Sequence, residues 1–276
     1  MESTDVIKNM IEPKSYMASI DLSEAFLTIP LHESSKKLVV FEYNNTRYCF
    51  NFLPFGLTSA PRIFTKVLRP LIIFLRSRGF KISAYLDDIF LVCNDFNKLK
   101  LQVHETLSLL VNLGFKPNLL KSQLIPSQSI CHLGFIWNSV SMKISIPEEK
   151  IIKARKFATD LLQLDSIPVR LLASFIGFAS SLRLSFPFAP LYYREIQYFL
   201  ISKLNSLSWE SRVSLNSSAV KDLKWWSVCS FSDNTFANIH DLKPDIKIYT
   251  DSSLSGWGMT SNNEMFLTGS WSDSDS

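Results

Sequence analysis

The sequence predicts an α+β fold: a small antiparallel sheet packed on helices, then a mainly helical stretch, then a closing strand pair. Three observations carry this reading. Two strand-like runs bracket Asp87-Asp88 within Lys81 to Cys93, and two amphipathic segments nearby are long enough to cover a sheet. The apolar spacing then turns helical from Pro147 to about Ile239 and returns to strand-like from Lys243 onward.

Taken in order, Tyr16 to Ile20 reads as a strand running into Asp21, with Ser23 placed to cap a short turn through Phe26. Lys37 to Phe52 alternates around Asn44-Asn45, a hairpin signal. After Pro54-Phe55-Gly56, Thr58 and Ser59 offer caps and Pro61 suits a first helical turn. Ile63, Phe64, Val67, Leu68, Leu71, Ile72 and Leu75 then recur at helical spacing, with a kink or break expected at Pro70 and a stop at Gly79. Asn97 to Leu113 is a second helix, ended by Gly114. Ile130 to Ile146 reads as a hairpin turning near Asn138-Ser139. In the last segment IKIYTDSS, GWGMT and EMFLTGSW carry the strand-like spacing.

A chain of 276 residues that is 46% hydrophobic and 20% charged buries a sizeable core and is neither disordered nor fibrous. The net charge of +4 is too small to imply nucleic acid by itself. Cys49, Cys93, Cys131 and Cys229 lie far apart without CxxC spacing, as free thiols in a reducing compartment do. The start carries acids where a signal peptide has an apolar run, and no apolar stretch reaches a membrane span, so an intracellular protein without membrane contact is expected.

If the strands around Asp21 and Asp87-Asp88 share one sheet, three carboxylates converge at one end of it. Uncompensated, they raise one another's pKa, and a divalent cation relieves the repulsion. Oxygen ligands alone point to Mg²⁺ or Mn²⁺ over zinc, and in-line phosphoryl transfer is the chemistry such a cluster serves. Adjacent aspartates also occur in ordinary turns, and Tyr-x-Asp-Asp is weak on its own, so order and context have to decide.

That context is present. YMASIDLSEAF, LPFGLTSAPRIF, YLDD, LGFKPNLLKSQL and HLGFIW resemble successive blocks of the reverse transcriptase palm, in that family's order. PLHESSKKLVVF, GFKISAYLDDIFLV and YTDSSLSGWGM resemble most the retrotransposons of DIRS type, with gypsy-like elements next. The resemblance covers Tyr16 to Trp137 well, the following region loosely, and Ile246 to Thr260 well again.

It implies a right-hand polymerase palm and an RNA-directed DNA polymerase that transfers a nucleotide from a dNTP to a primer 3′-hydroxyl by a two-metal mechanism, with Mg²⁺ or Mn²⁺ as cofactor. A primed RNA or DNA template would be the partner. Asp21 and Asp87 resemble the family's main metal ligands, and Asp88 the third carboxylate. Phe26 takes the sugar-gate position, Leu22, Phe55 and Gly56 the nucleotide site, and Lys121 the lysine near the leaving pyrophosphate. His132, Leu133, Gly134 and Phe135 take the primer grip. Each also has a plain reading: a core phenylalanine among 21, a strand-to-helix turn, an exposed lysine, a buried strand. Lys150, Lys153, Arg155 and Lys156 would face the template-primer backbone, and a solvated helix face explains them equally.

The resemblance divides the chain into a palm over 1–146 with fingers largely missing, a helical thumb or connection over 147–241, and the truncated start of a ribonuclease H-like domain over 242–276. Only twenty residues precede Asp21, and Lys8 and Lys14 match no triphosphate-binding motif. Asp251 would be a vestigial first ligand of the ribonuclease H site, whose activity is expected to be absent. Two other readings stay open: an inactive retroelement fragment that at most binds nucleic acid, and a palm-like cyclase relative, against which LPFGLTSAPRIF and HLGFIW argue.

Overall fold

The structure is a computed structural model that describes residues 2–204, 207–228, 236–240, 246–261 and 266–272. It divides into two units, Met1–His240 and Asp241–Ser276. Along the first run α1 (Thr4–Met10), β1 (Tyr16–Ser23), α2 (Glu33–Lys36), β2 (Val40–Tyr43), β3 (Thr46–Cys49), α3 (Ala60–Ser77), β4 (Lys81–Tyr85), β5 (Asp88–Cys93) and α4 (Phe96–Asn112). β6 (Lys116–Ser127), β7 (Ser129–His132), β8 (Phe135–Asn138), β9 (Lys143–Ser145), α5 (Glu148–Leu162), β10 (Ile167–Pro168), α6 (Val169–Ser181), α7 (Arg194–Leu204), β11 (Arg212–Val213), α8 (Ser217–Val228) and β12 (Phe236–Asn238) follow.

The central sheet has the order β4-β5-β1-β6, with every neighbouring pair antiparallel. Because side chains alternate across a sheet, β1 sends Ala18, Ile20 and Leu22 to one face and Met17, Ser19 and Asp21 to the other. Both faces are covered. Ala18, Ile20, Leu22, Ile89 and Leu91 pack on Phe64, Leu68 and Leu75 of α3 and on Leu99, Val103 and Leu110 of α4. Met17, Phe90 and Val92 pack on Ile7 and Ile11 and on Ile130, Phe135, Trp137 and Ile144 of a second sheet, ordered β12-β9-β8-β7.

α5 to α8 close a separate core around Ala154, Ala158, Leu172, Phe175, Ile196, Leu223 and Trp226. Phe175 meets Trp226 edge to face at 5.9 Å, and the Trp226 indole donates to the Tyr192 carbonyl at 2.7 Å. The second unit is a meander of β13 (Ile248–Ser252), β14 (Gly256–Ser261) and β15 (Phe266–Ser270), so the expected strand pair gains a third strand.

Several local expectations change. Ser23 is the last residue of β1 and caps nothing; Glu24, at φ 53°, opens a 3-10 turn over Ala25–Thr28 instead. Pro70 does not interrupt α3, since it sits on the exposed side while Leu68, Leu71 and Ile72 bind both halves of the helix to the core. The hairpin does turn after Asn138, between β8 and β9, but a further turn at Leu133-Gly134 adds β7 and makes it a three-stranded meander. β6 was not foreseen as a strand, because its apolar residues do not alternate cleanly. The hairpin of β2 and β3 does turn at Asn44-Asn45, both with positive φ, and presents Phe41 and Tyr48 stacked at 5.5 Å on an exposed surface. Cys49, Cys93 and Cys131 are free thiols, while Cys229 and the expected boundary at 241 and 242 lie outside the described residues.

One buried acid serves the helical core. Asp222 on α8 accepts hydrogen bonds from the Glu195 and Ile196 amides at 3.0 and 3.3 Å, satisfying donors that the first turn of α7 leaves unpaired. Asp222→Ala is expected to lower stability by about 1–2 kcal/mol in urea unfolding, and Asp222→Asn, which keeps an acceptor, by less.

Candidate active site

β1 and β5 pair so that Asp21 lies directly opposite Asp88. Both point to the face that carries Met17, Phe90 and Val92, so the two carboxylates share one face at one end of the sheet. Asp87 precedes β5 in the two-residue turn between β4 and β5, and its carbonyl accepts the Leu22 amide at 3.0 Å. Leu86 beside it holds φ 54°, a strained conformation for a leucine. The structure thus gathers the three aspartates that the sequence singles out.

At this distance the three charges act on one another. Burial raises the Asp88 pKa to about 6, helped by the charges of Asp87 and Asp21 and opposed by Lys121. Burial also raises Asp21; Lys121 opposes the rise, Asp87 adds to it, and a hydrogen bond from Asn118 opposes it. Among the described residues no three His, Cys, Asp or Glu side chains stand close enough to hold one ion unaided. A Mg²⁺ site takes one or two carboxylates and completes its shell with water and substrate phosphates. The aspartate pair and its turn fit that requirement in donor type and in uncompensated charge.

Phe26 packs edge to face on Phe55 at 5.1 Å and on Phe64 at 5.4 Å. Phe55 is 63% exposed and Gly56 has φ 89°, which favours glycine there on conformational grounds alone. Leu22, by contrast, is 3% exposed within the core and its amide is spent on Asp87, so its side chain does not reach the surface of the site.

His132, Leu133, Gly134 and Phe135 form the turn between β7 and β8, with positive φ at both Leu133 and Gly134. The buried His132 ring stacks on Phe90 at 4.6 Å, two residues along β5 from Asp88, and so sets this turn on the carboxylate face. Gly134 lies against the Lys150 ammonium, which a Cβ there would displace and which sits 4.7 Å above the Phe135 ring. Lys150 is therefore turned inward, Lys153 lies over Phe178, and Lys156 pairs with Asp160 at 3.6 Å. Asp251 is exposed on β13, bonded to its neighbour's amide. Asn118 and Ser122, which contact Asp21, were missed; their only signal was their spacing around Lys121.

Residues 2–137 match the family described as "Reverse transcriptase (RNA-dependent DNA polymerase)". The chain is 29% identical over 152 residues to the Gag-Pol polyprotein of Walleye dermal sarcoma virus, covering 54% of this chain and 8% of that protein. It is 30% identical over 129 residues to the Retrovirus-related Pol polyprotein from transposon opus of Drosophila melanogaster, covering 46% and 12%. A foamy viral protease-reverse transcriptase solved in complex with RNA/DNA hybrid superposes over 100% of this chain and 36% of its own, at TM-score 0.70 and 16% identity. The fold is the α+β fold of these polymerases. Residues 2–137 therefore carry a reverse transcriptase domain, similar to that of retroelement and retroviral Pol proteins. It spans about a tenth of the curated relatives it matches.

His132 gives the site a pH signature. Burial lowers its pKa from 6.5 to about 4, so the folded state disfavours the proton that the unfolded chain takes up. Stability is full above pH 6.5 and falls as pH drops toward 4, by about 3 kcal/mol in all. Urea midpoints at pH 7 and pH 4.5 should differ more in the wild type than in His132→Phe.

Proposed function

We propose that this chain is the catalytic core of an RNA-directed DNA polymerase, acting on a primed RNA or DNA template and dNTPs. The register of Asp21 against Asp88, with Asp87 at the adjoining turn, is the observation that supports it most. In this reading 1–146 is the palm, 147–241 the thumb or connection, and 242–276 the start of a ribonuclease H-like domain. The element is of DIRS type, as PLHESSKKLVVF and YTDSSLSGWGM support, with gypsy-like elements next. No helix among the described residues is long and apolar enough to cross a membrane, and the reading places the protein inside the cell.

Asp21, Asp87 and Asp88 would hold Mg²⁺ or Mn²⁺ here, sharing the metal's coordination with water and substrate phosphates; when bound, the metal would neutralise the carboxylates and act as Lewis acid toward the phosphates. The primer 3′-hydroxyl gives up its proton to solvent as its oxygen forms a bond to the α-phosphorus of the dNTP, and the bond from that phosphorus to pyrophosphate breaks. Lys121, whose charge already acts on Asp21 and Asp88, donates a proton from Nζ to the leaving pyrophosphate. Phe26, braced by Phe55 and Phe64, closes the space a ribose 2′-hydroxyl would need. The turn from His132 to Phe135 bears on the primer end from the same face as the carboxylates.

Primer extension with Mg²⁺ on an RNA template tests this. Asp87→Asn is expected to lower incorporation at least about a hundredfold while leaving thermal unfolding near that of the wild type. Undiminished extension by that variant overturns the assignment, and template binding without incorporation by the wild type places the chain among inactive fragments. Phe26→Val should admit ribonucleotides in the same assay; unchanged sugar selectivity counts against the gate.

A further inference from the structure

The edge strand β6 does not run evenly beside β1. Ser19 faces Gln123 and Asp21 faces Asn118, so two steps along β1 correspond to five along β6. The three extra residues form a bulge over Leu119 to Ser122, directly beside Asp21. The bulge throws Leu119 and Leu120 into solvent, Leu120 to 99%, so burial of apolar surface does not explain it.

Polar bonds close it instead, and they converge on Asp21 and Lys121. The Ser122 hydroxyl donates to the Asn118 carbonyl at 2.6 Å and accepts the Asp21 amide at 3.0 Å. The Asn118 Oδ1 accepts the Lys121 amide at 3.3 Å, and Asn118 faces Asp21 across the ladder, where its side chain works against the rise in the Asp21 pKa. Asn118 thus holds the backbone of the cation while standing opposite the anion, and Ser122 pins the backbone of that same anion.

We infer that Asn118 and Ser122 are positioning residues: the bulge they close fixes the Asp21 carboxylate and the Lys121 ammonium relative to each other across the site. The inference rests on the polymerase reading for what the two groups do, but its geometry stands apart from activity. An unbulged strand would alternate strictly and would leave Asp21 with a plain ladder partner. The bulge also explains why a lysine on an exposed edge strand acts on two carboxylates of the sheet.

Three measurements on the full chain test it. Hydrogen exchange of the Asp21 amide should quicken in Ser122→Ala and stay slow in Ser122→Thr, which keeps the hydroxyl. Titration with Mn²⁺ alone should show about fivefold weaker binding in Asn118→Ala and Ser122→Ala, and no weakening in Lys121→Ala, which removes a repelling charge. In primer extension, Ser122→Ala should lower kcat about tenfold with the dNTP KM within twofold, and add little in a Lys121→Ala background. Unchanged Asp21 exchange, unchanged Mn²⁺ affinity, or fully additive losses in kcat each overturn the inference. A wild type that incorporates nothing overturns the polymerase reading alone, since exchange and Mn²⁺ binding still decide the bulge.

Discussion

The structure depends on one antiparallel pairing, β1 against β5, in the register that places Asp21 opposite Asp88. A slip of one residue would exchange the two faces of β1. Ile20 would leave the helical core and Asp21 would enter it. Both faces of the sheet are covered, by α3 and α4 on one side and by the second sheet with α1 on the other, so the register is held by two cores at once. The repelling carboxylates stand at the end of the sheet, half-buried where the two cores give out. Packing thereby supports an arrangement that the charges themselves oppose.

Much of this was legible in the sequence because its signals are local. Asn44-Asn45 marks a turn by backbone tolerance, Gly79 and Gly114 end helices with positive φ, and Phe64, Leu68, Leu71 and Leu75 show one face of α3. The aspartates were legible as a set once the order of blocks was considered. β6 was not, since its bulge breaks the alternation by which a strand is recognised. For the same reason Asn118 and Ser122 passed unnoticed beside Lys121: their importance comes from bonds to β1, about a hundred residues earlier.

The Leu133-Gly134 turn shows a different limit. Asn138-Ser139 marks the turn between β8 and β9 by a local device, the Asn138 side chain accepting the Val140 and Ser141 amides. Leu-Gly is not a strong turn signal, and leucine at φ 50° is unfavourable, so the turn before β8 rests on tertiary contacts: His132 on Phe90, and Lys150 over Phe135. Leu22 illustrates the reverse, since its place beside Asp21 marks it for the site while the alternation of β1 commits it to the core.

Lys150 belongs to the first turn of α5, yet its ammonium rests between Gly134 and the Phe135 ring of the hairpin. The helix and the turn are therefore geared together. The same turn stacks through His132 on the strand of Asp88, so one short hairpin is the common footing of the first helix of the helical core and of the strand that begins at Asp88.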